Sequence, residues 1–460
     1  MVHDTSDPTP IETHHELVDY LVQGCRPKEA WRLGTEHEKI PFYRNGHTPV
    51  PYAGDNGIHA LLDGLAARNG WQPIIEDGLP IGLIEPKNGS AGGGAISLEP
   101  GGQFELSGAP VRTLHDTRDE LLRHLADVKA VADPLGISFL TLGMSPLWTR
   151  AQTPVMPKGR YRIMANYMPK VGSLGLDMMF RTSTVQVNLD FSSEADMVQK
   201  LRVSLALQPV ATALFANSPF TEGRPNGFLS ARSNIWRDTD GDRTGMLAFA
   251  FEDGMGFERY ADWVLDVPTY FVKRGDTYHD VAGLSFRDLM AGKMPGLEGE
   301  RASLSDWINH LSTVFPEVRL KQFLEMRGAD VGPVPMLLAQ SALWVGLLYD
   351  QTALDGAWDL VRDWTEAERQ ALRDAVPSEG LAAKIRGRNV RELAREVLAL
   401  ARAGLKARAF QNAAGEDESG YLDPLDLIVE RGRNQADDLL ALWHGPWQQS
   451  VEPAFEECIF

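Results

Sequence analysis

The sequence predicts an α+β protein whose sheet is mainly antiparallel, and three observations carry the prediction. Residues 71–110 read as a run of short strands broken by Gly and Pro, so strands dominate the first part of the chain. Four segments alternate polar and apolar residues with period 2, as strands with one polar face do. After residue 330 the apolar spacing becomes helical for the rest of the chain.

In chain order, residues 12–25 read as an amphipathic helix with Ile11, Leu17, Leu21 and Val22 on one side. The strand Arg32-Leu-Gly-Thr-Glu-His-Glu-Lys-Ile40 follows, then a short helix after Asp55-Asn56-Gly57 carrying Ile58, Leu61, Leu62 and Leu65. Strands are predicted at Trp71–Glu76, Ile81–Lys87 and Ala95–Leu106, a helix over 112–135, and a strand at Ile137–Met144. Lys158 to Met164 forms a basic loop or helix start, Arg181–Asp190 a strand, 194–215 a helix, and 226–243 a loop rich in Asn, Arg and Asp. Helices over 333–349, 365–375, 390–408 and 421–443 complete the chain. No domain boundary interrupts it, so the expectation is one catalytic domain over 1–460, with the site-bearing sheet up to about residue 330 and a mainly helical region from 331.

Composition narrows the function. The 460 residues are 43% hydrophobic and 23% charged, enough for a sizeable buried core. A formal net charge of −18 argues against nucleic acid as a partner, because phosphate backbones need a basic face. Small phosphorylated ligands stay open to an acidic chain through metal ions and a few local cations. Two cysteines, Cys25 and Cys458, give neither a disulfide framework nor zinc spacing, and a reducing cytoplasm is the expected compartment. Met1–Thr13 has no signal-peptide character, and no apolar run is long enough to span a bilayer.

Chemistry concentrates on four strand faces. Glu36 and Glu38 share a face of the first strand, with His37 on the other. Ser97 to Ser107 carries Glu99 before a Gly pair, then Gln103 and Glu105 in phase. Thr184, Gln186, Asn188 and Asp190 alternate with Val185, Val187 and Leu189. In Arg319 to Asp330, Arg319, Lys321, Glu325 and Arg327 lie on one side, Leu324 and Met326 on the other. Carboxylates 4 Å apart repel by about 4 kcal/mol at an effective dielectric of 20, so such a cluster calls for cations, and hard oxygen donors select Mg²⁺ or a similar ion. The pattern describes a concave polar surface backed by helices, suited to several Mg²⁺ ions and a nucleotide triphosphate.

Other features are less specific. Gly89 to Gly94 is a flexible turn or a phosphate-covering loop, without the P-loop Lys-Ser/Thr. Lys158, Arg160 and Arg162 near Tyr161 and Tyr167 form a basic surface or an anion site. Arg232, followed by Trp236, suits a bidentate grip on a carboxylate.

At these strands the chain closely resembles the plant and proteobacterial type of glutamate–cysteine ligase. The resemblance rests on Gly34-Thr-Glu-His-Glu-Lys39, Ser97-Leu-Glu-Pro-Gly-Gly-Gln-Phe-Glu-Leu-Ser-Gly108 and Met156-Pro-Lys-Gly-Arg-Tyr161. It continues through Asn166 to Met179, Val185-Gln-Val-Asn-Leu-Asp-Phe191, Ala216-Asn-Ser-Pro-Phe-Thr-Glu222 and Glu325-Met-Arg-Gly-Ala-Asp330. It implies a glutamine synthetase-like fold, a curved and largely antiparallel sheet, and ATP-dependent joining of the γ-carboxylate of L-glutamate to the amine of L-cysteine. By the same resemblance Glu36, Glu38, Glu99, Glu105, Gln186 and Glu325 hold two or three Mg²⁺ ions, Mn²⁺ being an alternative. Glu325 and Arg327 are the implied catalytic pair, and Arg327 with Lys321 contacts ATP. Arg232 takes the α-carboxylate of glutamate, with Trp236, Tyr270 and Arg160 around the amino acids. Plant members use disulfide control, one cysteine lying where this chain has Ser183. That switch is expected to be absent, any regulation then being by glutathione feedback, and either a monomer or a homodimer fits. Two readings compete: a carboxylate–amine ligase for a different amine, and a non-catalytic binding protein that kept the fold.

Overall fold

The computed structural model describes residues 7–86 and 93–460. Its centre is an eight-stranded sheet made of β1 (Leu33–His37), β2 (Gln72–Glu76), β3 (Leu79–Ile84), β4 (Ala95–Leu98), β5 (Phe104–Ser107), β6 (Thr184–Leu189), β7 (Val318–Leu320) and β8 (Leu324–Asp330). The order across the sheet is β7-β8-β6-β1-β5-β4-β3-β2, and every neighbouring pair is antiparallel. Lys87 and residues 89–92 of the Gly-rich run, on which two of the sequence readings fall, lie outside the described residues.

Alternation decides which way each strand faces. Val185, Val187 and Leu189 are buried with Leu324 and Met326 in the main hydrophobic core. That core is closed by α3 (Glu194–Phe215) and α5 (Val334–Leu348). Helix α5 is apolar over almost its whole surface and correspondingly buried all round, as a helix in the middle of a large core must be. No helix among the described residues is long and apolar enough to cross a membrane.

Several predicted segments differ in a way that turn chemistry explains. The run 95–106 is a hairpin rather than one strand: Pro100 occupies the turn position that a fixed φ favours, and Gly102 follows at φ +88°. Glu99 therefore sits at the turn, its N–H donating to the Gln103 carbonyl at 2.9 Å. The run 319–330 is likewise a hairpin, β7 pairing with β8 so that Arg319 faces Glu325. Ile137–Leu140 leaves the main sheet and pairs with Ile40–Tyr43. The helix predicted over 421–443 breaks into Asp423–Arg431 and Gln435–His444, where Asn434 caps the second by accepting the Asp437 N–H at 3.0 Å. Helices Phe257–Asp266 and Gln351–Val361 and the hairpin Thr269–Arg274/Thr277–Leu284 are additional.

Helix α1 (Leu114–Ala132) lays Glu120 beside the end of β5, where it accepts the Ala109 N–H at 2.8 Å. Burial, reinforced by Glu85 nearby, pushes this carboxyl up from 4.5 to about 7. An acid whose folded pKa exceeds its unfolded value supports folding below the unfolded pKa, and that support is lost as pH rises through the folded one. Glu120→Gln keeps the acceptor for Ala109 and removes the charge. It is expected to stabilise the protein at pH 8 by about 1–3 kcal/mol and to change little at pH 4.5, read from denaturant melts at the two pH values.

Candidate active site

Strand register builds the polar face residue by residue. Glu36 on β1 stands opposite Gln186 on β6 and Ser107 on β5, Glu105 stands opposite Ser97, and Glu325 on β8 stands opposite Asn188. Directly paired residues point the same way, so these side chains form one stripe across five strands. Asn188 donates to Glu36 at 2.7 Å, and the Ser107 and Ser97 hydroxyls donate to Glu105 at 2.6 and 3.3 Å. Glu38, one residue beyond β1, accepts the Thr184 N–H at 2.9 Å.

Electrostatically the stripe has two halves. In the acidic half, Glu38 is raised well above the usual carboxylate range by burial and by Glu99 and Glu105, and Glu36 is raised by burial with Glu105 and Glu325 adding to it. In the basic half, both oxygens of Glu325 are engaged by cations. Arg319 binds it at 2.6 and 3.0 Å, Lys321 at 3.0 Å and Arg327 at 2.7 Å, and the carboxyl sits well below its ordinary range despite complete burial. Three cations around one carboxylate leave an excess of positive charge.

Beside the stripe opens a cleft of about 560 Å³. Of the sequence-predicted residues, Glu38, Glu99, Arg160, Arg232, Trp236 and Arg327 line it together. Arg327 reaches it through a β-bulge. The β6–β8 register jumps between Met326 and Ala329, where Gly328 lies so close to α3 that a Cβ would come within 2.2 Å of the Gln208 side-chain oxygen. The guanidinium is flanked by Trp236 and Phe315, 5.9 and 5.8 Å from the two ring centres. Arg232 comes from α4 (Ala231–Ile235) and donates to the Arg327 carbonyl at 2.8 Å.

Gln186, Glu36, Glu105, Glu325 and Lys321 lie just behind the lining, Gln186 accepting a bond from Arg327. Tyr270 is a correction: it does not enclose the cleft. It is fully buried, its hydroxyl on Asp240 at 3.3 Å and its ring under Arg243 at 3.7 Å. Arg243 in turn holds the Thr313 carbonyl, and its own carbonyl accepts from Phe315, so Tyr270 braces the segment that delivers Phe315.

Residues the sequence reading passed over include Phe315, Gln103's role, and Asp330. Gln103 does not face metal chemistry; it ties the 95–107 hairpin to the Met179 and Thr182 carbonyls at 3.2 and 2.8 Å. Asp330 accepts from Asn217 N–H, Ser218 and Ser230 hydroxyls at 2.9, 2.7 and 2.9 Å, and Ser230 caps α4. It thereby fixes the helix bearing Arg232, whose charge also faces it. Asp330→Asn is expected to raise the KM for the substrate carboxylate at least about tenfold with a smaller change in kcat, measured by steady-state kinetics.

The acidic half fits a divalent cation. Glu36 and Glu38 offer hard oxygens whose ionisation is opposed by burial and by neighbouring carboxylates, a situation a cation reverses. Among the described residues, no three His, Cys, Asp or Glu side chains converge on one point. Mg²⁺ usually takes one or two carboxylates and completes its shell with water and substrate phosphate.

A sheet carrying buried carboxylates against buried arginines defines a class, proteins that handle phosphorylated ligands on an open antiparallel sheet. Known proteins place the chain within it. The profile of glutamate-cysteine ligase family 2 (GCS2) matches residues 32–457. Glutamate–cysteine ligase B, chloroplastic, of Oryza sativa subsp. japonica is 54% identical over 97% of this chain and 87% of its own. The chloroplastic glutamate–cysteine ligase of Arabidopsis thaliana is 54% identical over 97% of this chain and 83% of its own. The fold is shared with a glutamate–cysteine ligase of Francisella tularensis solved in complex with AMP, at TM-score 0.53 and 13% identity over 93% of this chain and 87% of that one. The chain belongs to glutamate–cysteine ligase family 2. It is a ligase of the first step of glutathione synthesis.

The expected cytoplasmic compartment is overturned by these relatives, which are named as chloroplastic enzymes. A low cysteine count excludes a disulfide framework but does not choose among compartments. Both cysteines are free; burial raises the Cys458 thiol to about 12.

Proposed function

We propose that the cleft joins the γ-carboxylate of L-glutamate to the amino group of L-cysteine with cleavage of ATP to ADP and phosphate, through γ-glutamyl phosphate. The observation that carries the assignment of roles is the division of one sheet face into an acidic and a basic half, meeting at the cleft. The basic half, with Arg327 at its edge and Arg319 and Lys321 behind, offers net positive charge for the transferring phosphoryl group. Arg232 and Arg160 both line the cleft, which supports Arg232 as the partner of the glutamate α-carboxylate and Arg160 as that of a second substrate carboxylate. The acidic half (Glu36, Glu38, Glu99 and Glu105, with Gln186) is the place for Mg²⁺. Bound there, the ion supplies charge neutralisation for the phosphates of ATP.

The chain's own residues then do the rest. Arg327, held between Trp236 and Phe315, keeps the γ-phosphate in line with the glutamate γ-carboxylate, which attacks phosphorus as ADP leaves. The acyl phosphate is held in a cleft walled by Tyr161, Met164, Met178 and Met179, which limits water. The cysteine amine attacks the acyl carbon and phosphate departs. Residues 1–460 act as one catalytic unit, since α5 and Val390–Arg408 share the core that backs β6 and β8.

Phosphate release from ATP is the test, with glutamate and a panel of amines including L-cysteine. Stimulation by cysteine above the other amines supports the reading. Equal or greater stimulation by a different amine moves the acceptor, and nucleotide binding without turnover for any amine contradicts ligation.

A further inference from the structure

At the other end of the catalytic strands lies a second cleft, of about 680 Å³, that shares no residue with the first. Aromatic rings and cations alternate around it. Lys28 lies 5.9 Å from the ring centre of Trp31, whose centre is 4.7 Å from that of Tyr349 with the planes tilted by 33°; Arg408 lies 5.3 Å from Tyr349 and 4.9 Å from Phe410, and Arg112 lies 5.0 Å from Phe410. The rings are fixed from behind. The Trp31 indole donates to the Arg26 carbonyl at 3.0 Å, and the buried ammonium of Lys200 sits 3.5 Å from its ring centre.

The lining carries three cations, Lys28, Arg112 and Arg408, and two carboxylates, Glu29 and Asp350. Arg408 is neutralised by buried Glu418 at 3.1 Å, and Asp350 is occupied in capping a helix through the Ala353 N–H at 3.0 Å. Lys28 and Arg112 have no carboxylate partner within 4.0 Å among the described residues. The half-buried rings of Trp31 and Phe410, beside two cations without an ion-pair partner, suit a ligand that carries both a planar ring and an anionic group. Neither a free inorganic anion nor a neutral aromatic uses both features.

We propose that this cleft binds a nucleoside diphosphate, the base against Trp31 or Phe410 and the phosphates on Lys28 and Arg112. ADP is the product of the cleft chemistry, so a ligand of this class is present whenever the enzyme turns over. The floor connects to the catalytic strands. The Tyr349 hydroxyl donates to the Arg32 carbonyl and accepts the Asp190 N–H at 2.7 Å, at the ends of β1 and β6. Glu36 lies about 16 Å along β1 from Trp31 at roughly 3.3 Å per residue, so the two sites are separate but share strands.

Equilibrium dialysis of the full chain against MgADP tests the proposal, with the Arg112→Ala/Phe410→Ala double variant, Lys28→Glu as a second variant, and Arg327→Ala to disable the catalytic cleft. The expected result is two ADP per wild-type chain. One is to be weakened at least tenfold in both variants of the second cleft and retained in Arg327→Ala. One ADP per chain that survives the variants of the second cleft, or two that both survive them, overturns it. Inorganic phosphate competing at the second cleft as well as ADP also overturns it, since the ring would then contribute nothing. A single ADP lost in Arg112→Ala/Phe410→Ala and kept in Arg327→Ala would uphold the second site while removing support from the catalytic cleft.

Discussion

Glu325→Gln is expected to unfold the protein more readily by about 3–5 kcal/mol and to abolish turnover, the cost of stripping one partner from a buried ion cluster. Glu325 is fully buried and is the counter-ion of Arg319, Lys321 and Arg327 together. Glutamine has the same shape, so the loss would come from charge rather than from a cavity. The three cations would then stand without compensation, and an added anion becomes the natural replacement. Thermal melts in rising phosphate should therefore recover more stability in Glu325→Gln than in the wild type. A variant as stable as the wild type, with no extra response to phosphate, would show that the basic half is not held together this way.

The second large effect belongs to the opposite half. Glu38→Gln is expected to cut ATP-dependent phosphate release at least about 100-fold while leaving stability unchanged or slightly raised. The side chain can still accept the Thr184 N–H, so local structure is kept. Only the charge is lost, and in the protein without a cation that charge is opposed by burial and by Glu99 and Glu105. The two substitutions thus separate by sign. Removing a carboxylate from the basic half destabilises, and removing one from the acidic half relieves repulsion while costing activity. Activity within about threefold of the wild type in Glu38→Gln would contradict the assigned role.

What could be read from the sequence follows from periodicity. Glu36 with Glu38, and Gln186 with Asn188, were legible because their strands are regular and period 2 fixes the face. The Glu99–Gly102 turn hid the hairpin because Glu99 and Glu105 flank it with the spacing of one continuous strand. Asp330 escaped for a related reason. Strict alternation puts it on the face opposite Glu325, and only the bulge at Arg327–Gly328 returns it to the same side, opposite Thr184. Phe315 carries no periodic signal, since it arrives from a two-residue strand pairing with Thr244–Gly245. Tyr270 was drawn into the site by resemblance, whereas its hydroxyl and ring are committed to Asp240 and Arg243. His37 was correctly placed away from the glutamates; it is buried against His124 with ring centres 5.6 Å apart. The eight-stranded order could not be read at all, because pairing across long sequence separations leaves no local trace.

The carboxylates of β1 and β5 are expected to hold the divalent cation on which ligation depends, and that role is directly measurable. Its most direct measurement is Mn²⁺ binding by electron paramagnetic resonance, on the wild type and on Glu38→Gln, with ADP and glutamate present. Tight Mn²⁺ binding is expected for the wild type and at least tenfold weaker binding for Glu38→Gln, with the fold intact. Equal Mn²⁺ affinity in the two proteins would contradict it.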